Sequence, residues 1–277
     1  MSPMRKYAII NALVRKSRYR RYLEICTPKT GGTFSRVARG PLEACHRLMY
    51  CCPPGFEDDS AIDFRSPDEH IEGLIPPGTL YDIIFIDPWH TYECSQRDFQ
   101  LGLALLAPGG ALVLHDCCPV EREMAGPEEP VPWRLWQGVT YCAYLDLVGS
   151  LPDLTWYTVD TDYGCGVIRK RAGKNGNTGC GDCELFQRWN LLRSRNQYDV
   201  FDFYEQHRRE LLNLISVEEF LVREGIPRRL LLPTPAYLLQ RAATWLHATY
   251  ARFRRAGLAR LRRRRWNHWF STWKESK

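Results

Sequence analysis

No run of apolar residues in this 277-residue chain approaches the ~18–20 that a membrane-crossing helix needs. A bilayer span is therefore not expected. The chain has no second Cys-x-x-Cys to complement Cys180-Gly181-Asp182-Cys183, and a structural zinc site would need two further ligands at matching spacing. That stretch reads as a loop with free thiols. The eleven cysteines are an odd set, and the first apolar run, Ala8 to Val14, is short, is interrupted by Asn11 and is followed by cations rather than small residues. No signal peptide is expected, and reduced thiols in the cytoplasm are expected in place of disulfides. The chain also lacks an internal repeat and a G-x-G-x-x-G pattern, which disfavours a nucleotide-dependent oxidoreductase. Acids are nearly missing from residues 227–277, which hold Glu275 against thirteen Lys or Arg. The net charge of +6 thus hides an acidic body joined to a basic tail.

What is present is ordinary for a soluble globular protein: 44% hydrophobic and 25% charged residues, with length for one α/β domain and an appendage. Through residue 170 the periodicity alternates between strand and helix. Ile9 to Val14 reads as the apolar face of a leading helix. Tyr22 to Cys26 reads as a strand entering a Gly31-Gly32 turn, with Thr33 capping a helix that runs from Thr33 to Arg39. Arg47 to Tyr50 is a second strand and Ala61 to Phe64 a third, with Ser66 placed to cap a helix after it. Ile83 to Ile86 and Ala111 to Leu114 are near-continuous apolar runs of the kind a parallel sheet buries on both faces. A Pro108-Gly109-Gly110 turn precedes the second of these. A helix follows from about Trp136 to Val148. Thr155 to Val159 and Gly166 to Ile168, joined by the turn Asp160 to Gly164, form an antiparallel pair that closes the sheet. Residues 172–184 read as a linker, 185–226 as a helical segment and 227–277 as a basic amphipathic helical tail.

The most informative stretch is Tyr81 to Pro119. Its two buried strands run directly into Asp87-Pro88-Trp89-His90 and His115-Asp116. Ligands of open parallel sheets bind beyond the carboxyl ends of the strands. Both polar ends are therefore expected to face one crevice, where Trp89, Trp133, Trp136 and Tyr163 would wall an acceptor pocket. Helix capping by the two aspartates remains the plainer alternative.

Tyr22-Leu23-Glu24-Ile25, Gly31-Gly32-Thr33-Phe34, Phe85 to Tyr92, Leu106 to Gly110, His115-Asp116-Cys117 and the closing segment Val159 to Arg169 together resemble class I S-adenosylmethionine-dependent methyltransferases. They are most similar to the small O-methyltransferase type with an Asp-x-x-His signature after strand four. The resemblance spans roughly residues 7–170. It implies a Rossmann-like, doubly wound, mostly parallel seven-stranded sheet with an antiparallel closing hairpin, and a methyltransferase domain over 1–171 with a helical C-terminal extension. By the same resemblance the cofactor is S-adenosylmethionine, bound by Glu24, Cys26, Thr27, Gly31, Gly32, Thr33, Tyr50, Asp63, Ser66 and Asp87. Glu24 would hold its ammonium group. Cys26 stands where the family has glycine, and strand two ends at Met49-Tyr50-Cys51 without the acid that grips a ribose. Tyr50 would stack on the adenine, with Asp63 or Ser66 taking polar contacts.

For catalysis the resemblance assigns the proton to His90 and a second role to Asp87. Histidine's ordinary pKa of about 6.5 suits a general base. Asp87 and Asp116 match the family's metal-binding acids, with His115 at the third ligand position. A divalent ion, magnesium or manganese, would lower the pKa of an acceptor hydroxyl, although enzymes of this fold also work without metal. The expected reaction is methyl transfer to a hydroxyl of a sugar or small natural product, so the partner is a small-molecule or glycan acceptor. A non-catalytic scaffold with the same fold is the alternative.

In the tail, Leu238, Trp245, Tyr250, Phe253, Leu261 and Trp269 recur at helical spacing between arginines. Residues 237–273 are expected either to dock on the body or a second subunit, or to touch a membrane peripherally. Nucleic acid ranks lower because no base-reading motif accompanies the charge.

Overall fold

Apolar runs that bury on both faces should sit in the middle of a sheet, and β3 (Tyr81–Asp87) and β4 (Leu106–Leu114) do so. The structure is a computed structural model that describes residues 4–27, 32–49, 78–128, 135–170 and 183–227. Its other strands are β1 (Arg21–Cys26), β2 (Ala44–Met49), β5 (Leu154–Val159), β6 (Cys165–Lys170) and the short β7 (Leu214–Ile215). They form one seven-stranded sheet in the order β2-β1-β3-β4-β6-β5-β7. β2, β1, β3 and β4 pair in parallel, while β6 is antiparallel to both β4 and β5. This is the doubly wound sheet with a closing hairpin that the sequence implies. Its seventh strand differs from the one expected, because β7 lies inside the stretch read as helical. Two residues are too few for periodicity to reveal, and pairing with Thr158 and Val159 defines the strand. Ala61 to Phe64 lies outside the described residues.

Helices cover both faces. Helix α1 (Lys6–Ser17) and α6 (Val217–Arg223) bury Ile9, Leu13, Val14 and Phe220 with Tyr22, Phe85 and Val113 of the sheet. The opposite face carries α2 (Tyr92–Leu105), α3 (Thr140–Ser150), α4 (Cys183–Asn196) and α5 (Phe201–Leu211), and packs Phe99, Tyr144, Trp189, Tyr204 and Leu211 against Ile84, Ile86 and Leu112. The segment beyond residue 184 thus shares the cores of the sheet. The chain divides into Met1–Leu232 and Pro233–Lys277; the second unit, which holds most of the tail, lies outside the described residues.

Three local expectations are corrected. In place of a helix from Thr33 there is one 3-10 turn, Phe34–Arg36, and the Thr33 side chain caps nothing. Buried Asn11 of α1 explains the interruption: its Oδ1 accepts from the Ala38 N–H at 2.7 Å and its Nδ2 donates to the Arg36 carbonyl at 3.1 Å. Those are backbone groups that a continuing helix would pair internally. Helix α3 begins four residues later than expected, because Gln137 and Gly138 both donate to the Met124 carbonyl and Gly138 sits at φ +57°. Pro108 to Gly110 lies inside β4, where the pairing with β3 jumps from Tyr81–Leu106 to Ile83–Ala111.

Candidate active site

The carboxyl ends of β1, β3 and β4 lie side by side, so the last residues of these strands meet. Cys26 is in register with Asp87, and the His115 N–H donates to the Ile86 carbonyl at 3.0 Å, continuing the ladder one step beyond β4. Asp116 then turns the chain at φ +57°. The next two N–H groups, of Cys117 and Cys118, donate to the carbonyls of Gly164 and Tyr163 in the β5–β6 turn. Gly164 permits this approach: at φ +85°, a Cβ there would come within 2.3 Å of the Cys118 Cβ. His90 precedes α2, whose N-cap Thr91 accepts from the Cys94 N–H. The His90 carbonyl in turn accepts from Val139, and a Cβ on Gly138 would lie 2.0 Å from that oxygen.

Four buried charged or polar side chains and one lysine converge here. His115 Nδ1 lies 2.8 Å from Asp116 Oδ2 and 3.3 Å from Asp87 Oδ1. Lys6 Nζ, from the first turn of α1, donates to Asp87 Oδ2 at 2.6 Å and lies 3.3 Å from His115 Nδ1. His90 Nε2 lies 3.0 Å from Asp116 Oδ2. Burial opposes charge on Lys6, Asp87, His115 and Asp116, yet their mutual attraction outweighs it. His115 is pushed up to about 10 by Asp116 and Asp87. Asp116 is held far below the carboxylate range by His115 and His90, Asp87 is lowered by Lys6 and His115, and Lys6 is raised by Asp87. At neutral pH the crevice therefore holds two carboxylates balanced by an imidazolium and an ammonium. His90 Nδ1 has no hydrogen-bond partner among the described residues, and the ring packs edge-on to Trp136 at 5.3 Å.

The metal expectation meets this charge balance directly. Ligand atoms of Asp87, His90 and Asp116 lie within 4.8 Å of one another. His115, expected as third ligand, instead turns Nδ1 to both carboxylates. The set does not fit a divalent ion. The positive charge that such an ion would bring is already supplied by Lys6 and His115, and a dication shared by these acids would repel the ammonium seated on Asp87.

On the β1 side, Glu24 is fully buried. Its Oε2 accepts from Tyr22 Oη at 2.7 Å, while Oε1 has no hydrogen-bond partner among the described residues. Burial pushes its carboxyl up to about 7, against the pull of the Tyr22 hydrogen bond. An orphaned, buried carboxylate oxygen fits a cationic ligand group, as the ammonium of an amino-acid moiety would supply. Cys26 and Thr27 are also fully buried, and burial raises the Cys26 thiol so that it stays neutral. Thr33 is buried, and the space in front of Gly32 is open. Gly31, Tyr50, Asp63, Ser66 and Trp133 lie outside the described residues.

A cavity of about 560 Å³ runs from Gly32 and Thr33 to the charged cluster, and Glu24, Cys26 and Thr27 are not in its lining. Its volume is within the size range of small-molecule sites. Its lining includes Gly32, Lys6, Asp87, His90, Asp116 and Trp136, with Tyr163 at the β5–β6 turn. Trp136 and Tyr163 thus stand where aromatic walls were expected, whereas Trp89 packs behind Trp136 with ring centres 5.5 Å apart. Sequence reasoning missed Lys6 and Asp162. Asp162 accepts from the Lys6 backbone N–H at 2.9 Å and from Arg5 at 2.8 Å, anchoring the start of α1 to the hairpin turn. One signal was present: a lysine in the first turn opposes the helix dipole, which points to a distant acidic partner.

Residues 58–117 match the sequence model of the family described as "Methyltransferase domain". That span contains β3, α2 and β4, with Asp87, His90, His115 and Asp116. No curated protein matches the chain in sequence. Among solved structures, the O-methyltransferase TomG from Streptomyces achromogenes, involved in tomaymycin synthesis and in complex with SAM, is 17% identical with a TM-score of 0.42, over 60% of this chain and 79% of its own. An O-methyltransferase from Bacillus cereus in complex with SAH is 18% identical with a TM-score of 0.42, over 62% of this chain and 82% of its own.

Proposed function

We propose that this chain, which carries a methyltransferase domain by its family match, moves a methyl group from S-adenosylmethionine to a hydroxyl oxygen of a small molecule or glycan. The observation that carries the reading is the His90–Asp116 pair on the wall of a cavity that reaches Gly32 beside the β1 loop. When bound, S-adenosylmethionine supplies a methyl carbon made electrophilic by its sulfonium. Glu24 pairs its orphaned Oε1 with the cofactor's ammonium, and the backbone at Thr27, Gly32 and Thr33 lies along the same loop. Tyr50, Asp63 and Ser66 are proposed for the adenosine half. His90 accepts the proton of the acceptor hydroxyl, and Asp116, held ionised, stabilises the imidazolium that forms. Trp136 and Tyr163 flank the acceptor and limit water, so that oxygen and methyl carbon meet in line.

Calorimetry with S-adenosylmethionine, S-adenosylhomocysteine and NAD tests the reading. Binding of the first two is expected; binding of NAD alone would replace it with an oxidoreductase, and binding of none with a scaffold. With an acceptor in hand, His90→Ala is expected to lower kcat by about 10²–10⁴ with cofactor affinity retained. Full turnover in that variant removes His90 as base.

A further inference from the structure

The proton transfer just described makes no use of Lys6, although Lys6 is held more firmly than any exposed lysine would be. Its Nζ rests 2.6 Å from Asp87 Oδ2 and 5.8 Å from the centre of the Phe85 ring. Asp162 fixes its backbone from the opposite side. The side chain keeps 22% of its surface exposed, and it lines the cavity together with His90 and Asp116. An ammonium carries three N–H donors, and Asp87 takes one of them. His115 Nδ1 lies 3.3 Å from the same nitrogen, and a donor left over faces the cavity that His90 also lines.

We infer that the ammonium of Lys6 is the resident cation of this crevice, taking the electrostatic place of a divalent ion and donating a hydrogen bond to the acceptor oxygen as that oxygen loses its proton. The inference rests on the methyl-transfer reading. The step balances without a metal or further reagent. The hydroxyl proton passes to His90, and the oxygen's electron pair forms the new bond to the methyl carbon. The bond from that carbon to sulfur breaks with its pair left on sulfur, and Lys6 keeps its own proton throughout. A preplaced cation stabilises the charge that develops on oxygen while costing no reorganisation at the moment of reaction. The same cation keeps other cations out, since a dication shared by Asp87, His90 and Asp116 would lie close to the ammonium.

The test is a titration of Mn²⁺ into the full-length wild type, Lys6→Ala and Lys6→Arg, followed by electron paramagnetic resonance, with S-adenosylhomocysteine affinity measured on the same samples by calorimetry. Lys6→Ala is expected to bind Mn²⁺ at least roughly tenfold more tightly than wild type. Lys6→Arg is expected to stay as weak as wild type, and adding Asp116→Asn to Lys6→Ala should abolish the gain. Equal Mn²⁺ affinity in wild type and Lys6→Ala, including no binding by either, overturns the inference. Loss of S-adenosylhomocysteine binding in the wild type would instead strike the methyl-transfer reading. If Lys6→Ala fails to fold, Lys6→Met preserves the buried stem and takes its place in the comparison.

Discussion

Buried charges survive at this site because each faces an opposite one within hydrogen-bonding distance; a lone ion at the same depth would shed or gain a proton. Glu24 shows the contrast. It has a phenol for one oxygen and no hydrogen-bond partner among the described residues for the other, and burial lifts its carboxyl to about 7 from an ordinary 4.5. A pKa raised by folding means that the fold favours the protonated form. Its stabilising contribution is therefore complete below about pH 4.5 and is lost as pH rises through 7. The difference is about 3 kcal/mol across that window. Glu24→Gln is expected to flatten the pH dependence of cofactor-free stability between pH 5 and 8, while weakening S-adenosylhomocysteine binding at least roughly tenfold because an ammonium loses its counter-charge. Denaturant melts at the two pH values check the first part and calorimetry the second. An unchanged melt profile with unchanged affinity would remove Glu24 from the donor side.

At the level of elements, the β5–β6 turn is the joint that assembles the site. Its backbone carbonyls receive Cys117 and Cys118 from the end of β4, and its Asp162 receives the start of α1. Asp162→Ala is expected to cost about 1–2 kcal/mol of stability, as loss of a helix-capping acceptor does. It should also lower kcat with little change in cofactor affinity, because Lys6 loses its backbone anchor. Asp162→Asn keeps an accepting oxygen and is expected to restore most of both. Equal damage in the two variants would reduce Asp162 to a charge effect. These elements also mark what the sequence could disclose. β3, β4 and the hairpin were legible because uninterrupted apolar runs and a Gly-containing turn are local signals. The convergence of Asp87, His90, His115 and Asp116 followed from strand order alone. The Lys6 contact was not legible, since its partner lies 81 residues away and only tertiary packing joins them. The aborted helix after Thr33 was hidden for the same reason: Asn11, 27 residues upstream of Ala38, takes the backbone groups. The inward turn of the His115 ring, with Nδ1 on both acids, was likewise invisible to the sequence, because Asp87 lies 28 residues upstream.

For the whole molecule, one compact unit reaches residue 232, and no helix among the described residues is long and apolar enough to cross a membrane. The composition of residues 237–273 supports a proposal of peripheral contact with anionic membranes, or of docking on the acidic body or a second subunit. Flotation of the chain with and without residues 227–277 on vesicles of phosphatidylserine and phosphatidylcholine separates these. Tail-dependent flotation is expected for membrane contact, and equal behaviour of the two chains leaves docking.

The cavity is lined by residues from Arg5 to Tyr163, whereas the match to the methyltransferase-domain model occupies only 58–117. The span that matches the family model is therefore smaller than the set of residues proposed to act. A fragment cut to the matched span would keep both aspartates and both histidines yet lose Glu24, Lys6, Trp136 and Tyr163.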